Sequence, residues 1–164
     1  MAERSAPRYR TFGLALLVLT LVLDRITKEW LLGLLDGQDP ITVTGFLDLV
    51  MVWNRGVSFG LFQQGDDAGR YLLTGFAVIV ALVLIVWMWR SSTRIAVTGL
   101  ALVAGGALGN AYDRVVYGAV ADFFDFHFSG YHFWAFNIAD SAITIGVGFL
   151  LLDAFRAPAA AAGR

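Results

Sequence analysis

Two uncharged apolar runs, Tyr71–Trp89 and Ile95–Tyr112, stand almost back to back, separated only by Arg90-Ser91-Ser92-Thr93-Arg94. Each approaches the roughly 20 residues that a helix needs to cross a hydrocarbon core about 30 Å thick. The composition agrees, with 58% hydrophobic and 15% charged residues and a mean hydropathy of +0.68, well outside the range of ordinary globular chains. A formal net charge of -1 argues against a nucleic-acid partner, which needs a basic face. The absence of cysteine excludes disulfides, thiolate metal centres, cysteine nucleophiles and a cysteine-linked lipid anchor. What remains is a small integral membrane protein, read as one domain over 1–164.

Two further spans complete the pattern. Thr11–Leu23 is apolar and is followed by Asp24-Arg25-Ile26-Thr27-Lys28-Glu29-Trp30, then by Leu31–Leu35, without the small-residue cleavage site of a secretory leader. The reading is a retained first span at 12–34, with later spans at 71–89, 95–112 and 133–152. Gly105 and Gly109 give the third span a small-residue face for close helix packing. Between the spans lie loops 35–70 and 113–132. Ile41–Thr44 and Phe46–Trp53 are β-rich and punctuated by Pro40 and Gly45, while Val57–Phe62 is read as strand or one short amphipathic turn.

Basic residues set the orientation. Arg4, Arg8, Arg10, Arg90, Arg94, Arg156 and Arg164 fall in the tails and the tight middle loop, whereas 36–70 holds Arg55 and Arg70 against five aspartates. The positive-inside rule puts both termini in the cytoplasm and the two larger loops outside. The expected architecture is mainly α: a four-helix membrane bundle with a little sheet outside it.

Asp122 and Asp140 are the costly residues in this setting, because an intramembrane carboxylate is a functional-site hypothesis by default. With the fourth span starting at Phe133, Asp140 lies roughly 10 Å deep at about 1.5 Å per residue. Two carboxyls at close range cannot both ionise, so one stays a base and the other holds a proton. Such a pair activates a water for attack on a carbonyl. Asn137, one turn before Asp140, and Asn110 and Arg114, four apart on one face, bring neutral or cationic donors to the same level. Asp24 lies in the outer half of its span, and Lys28 reads as its i,i+4 ion-pair partner. Asn54-Arg55-Gly56-Val57-Ser58-Phe59-Gly60 is a glycine-rich outer loop able to grip an extended substrate. Asp122, Asp125, His127 and His132 could be read as a metal site, but their spacing lacks a helical histidine pair, so neither metal nor cofactor is expected. Intramembrane acids also serve proton relays, and a proton-coupled transporter is the alternative.

These segments together resemble lipoprotein signal peptidase, the signal peptidase II family. They are Asp24-x-x-x-Lys28, Asn54-x-Gly56 with Phe59, Gly-Gly-Ala-Leu-Gly-Asn-x-x-Asp-Arg over 105–114, Val120-x-Asp122-Phe123 and Phe136-Asn137-x-Ala139-Asp140. The resemblance implies an aspartyl endopeptidase of the bacterial inner membrane, with a small extracytoplasmic β-cradle beside the four helices. Its substrate would be a diacylglyceryl-modified prolipoprotein, cut just before the lipidated cysteine, with membrane lipids as surroundings and no obligate protein partner. On this likeness Asp122 and Asp140 are the catalytic pair. Asp24, Asn54, Gly56, Asn110, Arg114, Asn137 and Ala139 bind substrate or support the site, and Asp113 and Asp125 are structural.

Overall fold

The computed structural model describes residues 8–56 and 67–161. The order of elements is α1 (Arg8–Leu35), β1 (Ile41–Thr44), β2 (Leu47–Asn54), α2 (Asp67–Arg90), α3 (Arg94–Val116), β3 (Val120–Phe128), β4 (Tyr131–His132) and α4 (Ile138–Ala161). The expectation of strand or short turn at 57–62 lies outside the described residues.

Helix α3 is the axis, packing against α1, α2 and α4. Its small residues let the backbones meet. Gly105 touches Thr20 of α1, where a Cβ would come within 2.9 Å of the threonine side chain, and Gly99 meets Gly146 of α4, where it would come within 2.7 Å of a backbone oxygen. Leu17, Ala81, Met88, Val97, Leu100, Ala101 and Ala104 form the core between α1, α2 and α3. The outer faces are apolar too: Leu72, Phe76, Ile79, Leu82, Val83, Val86 and Trp87 of α2 are all exposed. A helix apolar all round with its outer face uncovered belongs in lipid. Three helices, Asp67–Arg90, Arg94–Val116 and Ile138–Arg156, are long and apolar enough to cross a membrane. Helix α1, with 28 residues, is roughly 42 Å long at 1.5 Å per residue. It is long enough to cross as well, but carries Asp24, Arg25, Lys28 and Glu29.

Four antiparallel strands pair in the order β1-β2-β3-β4. Leu31 and Leu35 at the end of α1 pack against Ala121 and Phe123, fixing β3 to the bundle. A register shift in β2 between Leu49 and Val52 separates the pairs Leu49↔Phe124 and Val52↔Asp122. Because side chains alternate with period 2, this one-residue bulge turns Val52 and Asn54 onto the face of Asp122; unbroken register would have sent Asn54 to the other side.

Two expectations are corrected. The stretch 113–132 is not a loop: α3 runs on to Val116, and β3 and β4 follow. Its Asp122-Phe123-Phe124-Asp125-Phe126 run lacks the polar-apolar alternation of a half-buried strand and is extended because it pairs with β2, a pairing invisible locally. The fourth helix begins at Ile138 rather than Phe133, because Phe133 N donates to Phe126 O (2.6 Å) and Phe136 N to Phe124 O (3.2 Å), holding 133–136 extended. Asp140 therefore lies in the first turn of α4, not about 10 Å inside a span.

Candidate active site

The start of α4 is built by its own sequence. Asn137 is the N-cap: its Oδ1 accepts from Asp140 N (3.0 Å), while Asp140 Oδ2 accepts from Asn137 N (3.2 Å). This is the reciprocal arrangement of a capping box, with Asn and Asp in place of Ser and Glu. The two residues meet across a helix entrance rather than side by side along one face.

The cap has a second consequence. A backbone N–H can only donate, so Asp140 N fixes the Asn137 amide with its oxygen inward and its NH2 outward. That NH2 reaches Asp122 Oδ1 (2.7 Å), Asn110 Oδ1 (3.2 Å) and Ala121 O (3.2 Å). Asn54 is oriented in the same way: Gly56 N donates to its Oδ1 (2.9 Å), so Asn54 Nδ2 faces Asp122 Oδ2 (3.1 Å). Gly56 holds φ at 100°, in the region that favours glycine. Asn110 in turn gives its Nδ2 to Asp140 Oδ1 (2.8 Å). Both oxygens of each aspartate thus accept from neutral amides, and Asn137 touches both acids.

Asp122 is 1% exposed, whereas Asp140 is half-buried. Burial first, and the neighbouring Asp140 carboxylate second, push the Asp122 carboxyl up from 3.8 to about 6, against the opposing pull of the Asn54 and Asn137 hydrogen bonds.

Behind the pair lies a buried ionic layer. Asp24, 1% exposed, accepts from Ala139 N (3.0 Å) and pairs with Lys28 Nζ (2.9 Å). Lys28 also pairs with Asp113 Oδ2 (2.7 Å) and donates to Asn110 Oδ1 (3.3 Å). Asp113 pairs with Arg25 (2.8 Å) and accepts from Ala121 N (3.3 Å), consistent with a structural role. Ala139 is fully buried where α3 and α4 touch at Gly106 and Gly109, so nothing larger fits there. Arg114 donates to Asn110 O (3.3 Å), and its Nη2 lies beside Gly56. Among the described residues it forms no ion pair with either aspartate, and its Nε has no hydrogen-bond partner.

Asp122, Asp140 and Asn110 therefore meet at Asn137, while Asn54 and Gly56 join through Asp122, Arg114 through Asn110, and Asp24 through Ala139. Lys28, anticipated only as the partner of Asp24, was missed as a neighbour of Asn110. Its i,i+4 spacing from Asp24 is visible in the sequence, but Asn110 and Asp113 arrive from another helix. The histidine-acid group divides into two pairs, His127 with Asp48 (3.3 Å) and His132 with Asp125 (2.6 Å). Among the described residues no three such side chains converge to hold a metal ion.

Two aspartates from separate elements are thus bridged by amides at one end of an apolar bundle, and chemically a carboxyl pair of this kind is able to activate water. Residues 16–156 match the family model described as Signal peptidase (SPase) II. The chain belongs to the signal peptidase II family. Its family relatives include the lipoprotein signal peptidase of Methylobacterium sp. (strain 4-46), 50% identical over 143 residues that cover 86% of this chain and 87% of that protein. The lipoprotein signal peptidase of Methylobacterium radiotolerans is 49% identical over 146 residues, covering 86% and 84%. A solved bacterial membrane enzyme, determined by the in meso method at 1.9 Å, superposes with a TM-score of 0.76 at 28% identity over 87% of this chain and 92% of that one. Membership of the signal peptidase II family makes the chain a peptidase and sets the transporter reading aside.

Proposed function

We propose that this protein is an aspartyl endopeptidase of the bacterial cytoplasmic membrane. It removes the signal peptide from diacylglyceryl-modified prolipoproteins by cutting immediately before the lipidated cysteine. Asp122 and Asp140 are the catalytic pair. The observation that carries this reading is Asn137, which donates to Asp122 through its side chain and to Asp140 through its backbone, so that two acids 18 positions apart share one residue.

The chemistry follows from a pair holding one proton. The ionised member takes a proton from water as the oxygen attacks the scissile carbonyl, and the protonated member gives its proton to the carbonyl oxygen. The tetrahedral diol then collapses. One hydroxyl proton returns to the pair, the C–N bond breaks, and the departing cysteine nitrogen takes a proton from the other carboxyl. The amides of Asn54, Asn110 and Asn137 hold both carboxyls without adding charge. Arg114 forms no ion pair with either acid among the described residues but lies near enough to feel both charges, and it is the cation available to a substrate. No metal or cofactor is required.

The single domain sits in the bilayer with α1 as a fourth span and the sheet as an extracytoplasmic cradle. Both termini are cytoplasmic and the carboxyl pair faces outward, with membrane lipids around the bundle and no obligate protein partner. The lipid tails of the modified cysteine hold the scissile bond at the level of the α4 entrance. The test is a gel-shift assay on a purified lipid-modified preprotein. The intact enzyme is expected to cleave it in the presence of chelator, and Asp122→Asn and Asp140→Asn are not. Cleavage by either variant at an undiminished rate defeats the proposal.

A further inference from the structure

Lys28 is 1% exposed, one of the largest fully buried side chains among the described residues. An ammonium in such a place is expensive unless paired, and the stability of a buried ion pair rarely justifies it. Its carboxylate partners, Asp24 (2.9 Å) and Asp113 (2.7 Å), stand one on each side. The third contact, to Asn110 Oδ1 (3.3 Å), points toward the active site.

We propose that Lys28 is a positioning residue for peptide cleavage, its ammonium locking Asn110 in the one orientation that donates to Asp140. This rests on Asp140 being catalytic. The logic is one of donors and acceptors. Asn110 Oδ1 receives Lys28 Nζ and Asn137 Nδ2, and Asn110 Nδ2 is thereby left to Asp140 Oδ1 (2.8 Å). Rotating the amide by half a turn would set its NH2 against the ammonium and the Asn137 NH2, and its oxygen against the carboxylate. Lysine has only donors, so it forbids that rotamer. A neutral hydroxyl or amide in its place could donate or accept, and would allow both. The same positive charge also opposes the upward shift of the Asp122 carboxyl.

Two variants and a cycle test this. Lys28→Met/Asp24→Asn removes the ammonium with one of its counter-charges, keeping the buried layer balanced, and an amide oxygen still faces Ala139 N. In the folded variant kcat is expected to fall about 10–100-fold with KM unchanged, the scale of a misplaced reacting group. The alkaline limb of its pH–rate profile is expected to move upward. A folded variant with kcat within about threefold of wild type and an unmoved profile overturns the proposal, leaving Lys28 as a structural counter-ion.

If that variant does not fold, Lys28→Arg keeps the charge but moves the donor. It is expected to lower kcat in the native background and to have no further effect in Asn110→Ala, because the loss travels through Asn110. An equal loss in both backgrounds, or none in either, overturns it. Asp122→Asn and Asp140→Asn run alongside: if they cleave, the catalytic reading has failed; if they are inactive while the Lys28 variants are normal, only the positioning role has.

Discussion

Asp122→Asn separates what the site does from what it costs. The Asp122 carboxyl, driven from 3.8 to about 6 by burial and by Asp140, binds its proton more tightly folded than unfolded. The folded state is therefore penalised once the pH rises above the unfolded value, and the penalty is complete above the folded one. At about 1.36 kcal/mol per pKa unit, the ionised side chain costs the fold about 3 kcal/mol at pH 8 and nothing below about pH 4. Asparagine removes the charge but not without loss, because both carboxylate oxygens accept amide donors, at 3.1 and 2.7 Å. An asparagine can accept from one of Asn54 and Asn137 and must turn its NH2 toward the other. One lost hydrogen bond returns about 1–1.5 kcal/mol. The net expectation is an inactive protein more stable than wild type by about 1–2 kcal/mol at pH 8, a rise of about 2–8 °C in unfolding temperature. The gain disappears by pH 4. Thermal unfolding of both proteins in one detergent across pH 4–8 measures it. Equal stability at pH 8, or a difference that ignores pH, would refute the electrostatic account of the pair.

Three other substitutions probe the scaffold. Asn137→Asp keeps an oxygen for Asp140 N but puts a third carboxylate where the NH2 lay 2.7 Å from Asp122. Losing that charge-assisted bond, about 1.5–3 kcal/mol, should lower kcat about 10–100-fold, and activity within threefold of wild type in the preprotein assay would contradict the bridging role. Gly109→Ala places a Cβ 2.6 Å from Asp24 Oδ2 and should cost about 1–3 kcal/mol in thermal unfolding as Asp24 is forced from Ala139 N or Lys28. Gly75→Ala, with nothing within 4 Å in the interior of α2, should instead stabilise by about 0.5–1 kcal/mol. The same sign at both positions would be inconsistent with the packing of α3 on α1.

The legible parts were those governed by short periods. The uncharged runs became α2 and α3, 41–44 became β1, and the Gly105/Gly109 face lies against α1 as its spacing suggests. Asp122, Asp140 and their amides stood out because polar groups are conspicuous in an apolar chain. Asn137 was read as sharing a helical face with Asp140, since i and i+3 look alike whether a helix runs through them or begins there. The hydrogen bonds of 133–136 to β3 decide between the two, and their partners lie several residues away. The strand 120–128 was missed for the same reason.

The sequence by itself determined that the chain is apolar enough for a membrane, that four helices form, and which few polar side chains must find partners there. Tertiary structure alone decided who those partners are. A one-residue bulge in β2 sends Asn54 toward Asp122, the touching backbones of α3 and α4 set Ala139 over Asp24, and a lysine from α1 faces an asparagine from α3. Hydrophobic patterning acts along a single element and can be read one residue after another. Donor and acceptor matching acts between elements and exists only once they are packed.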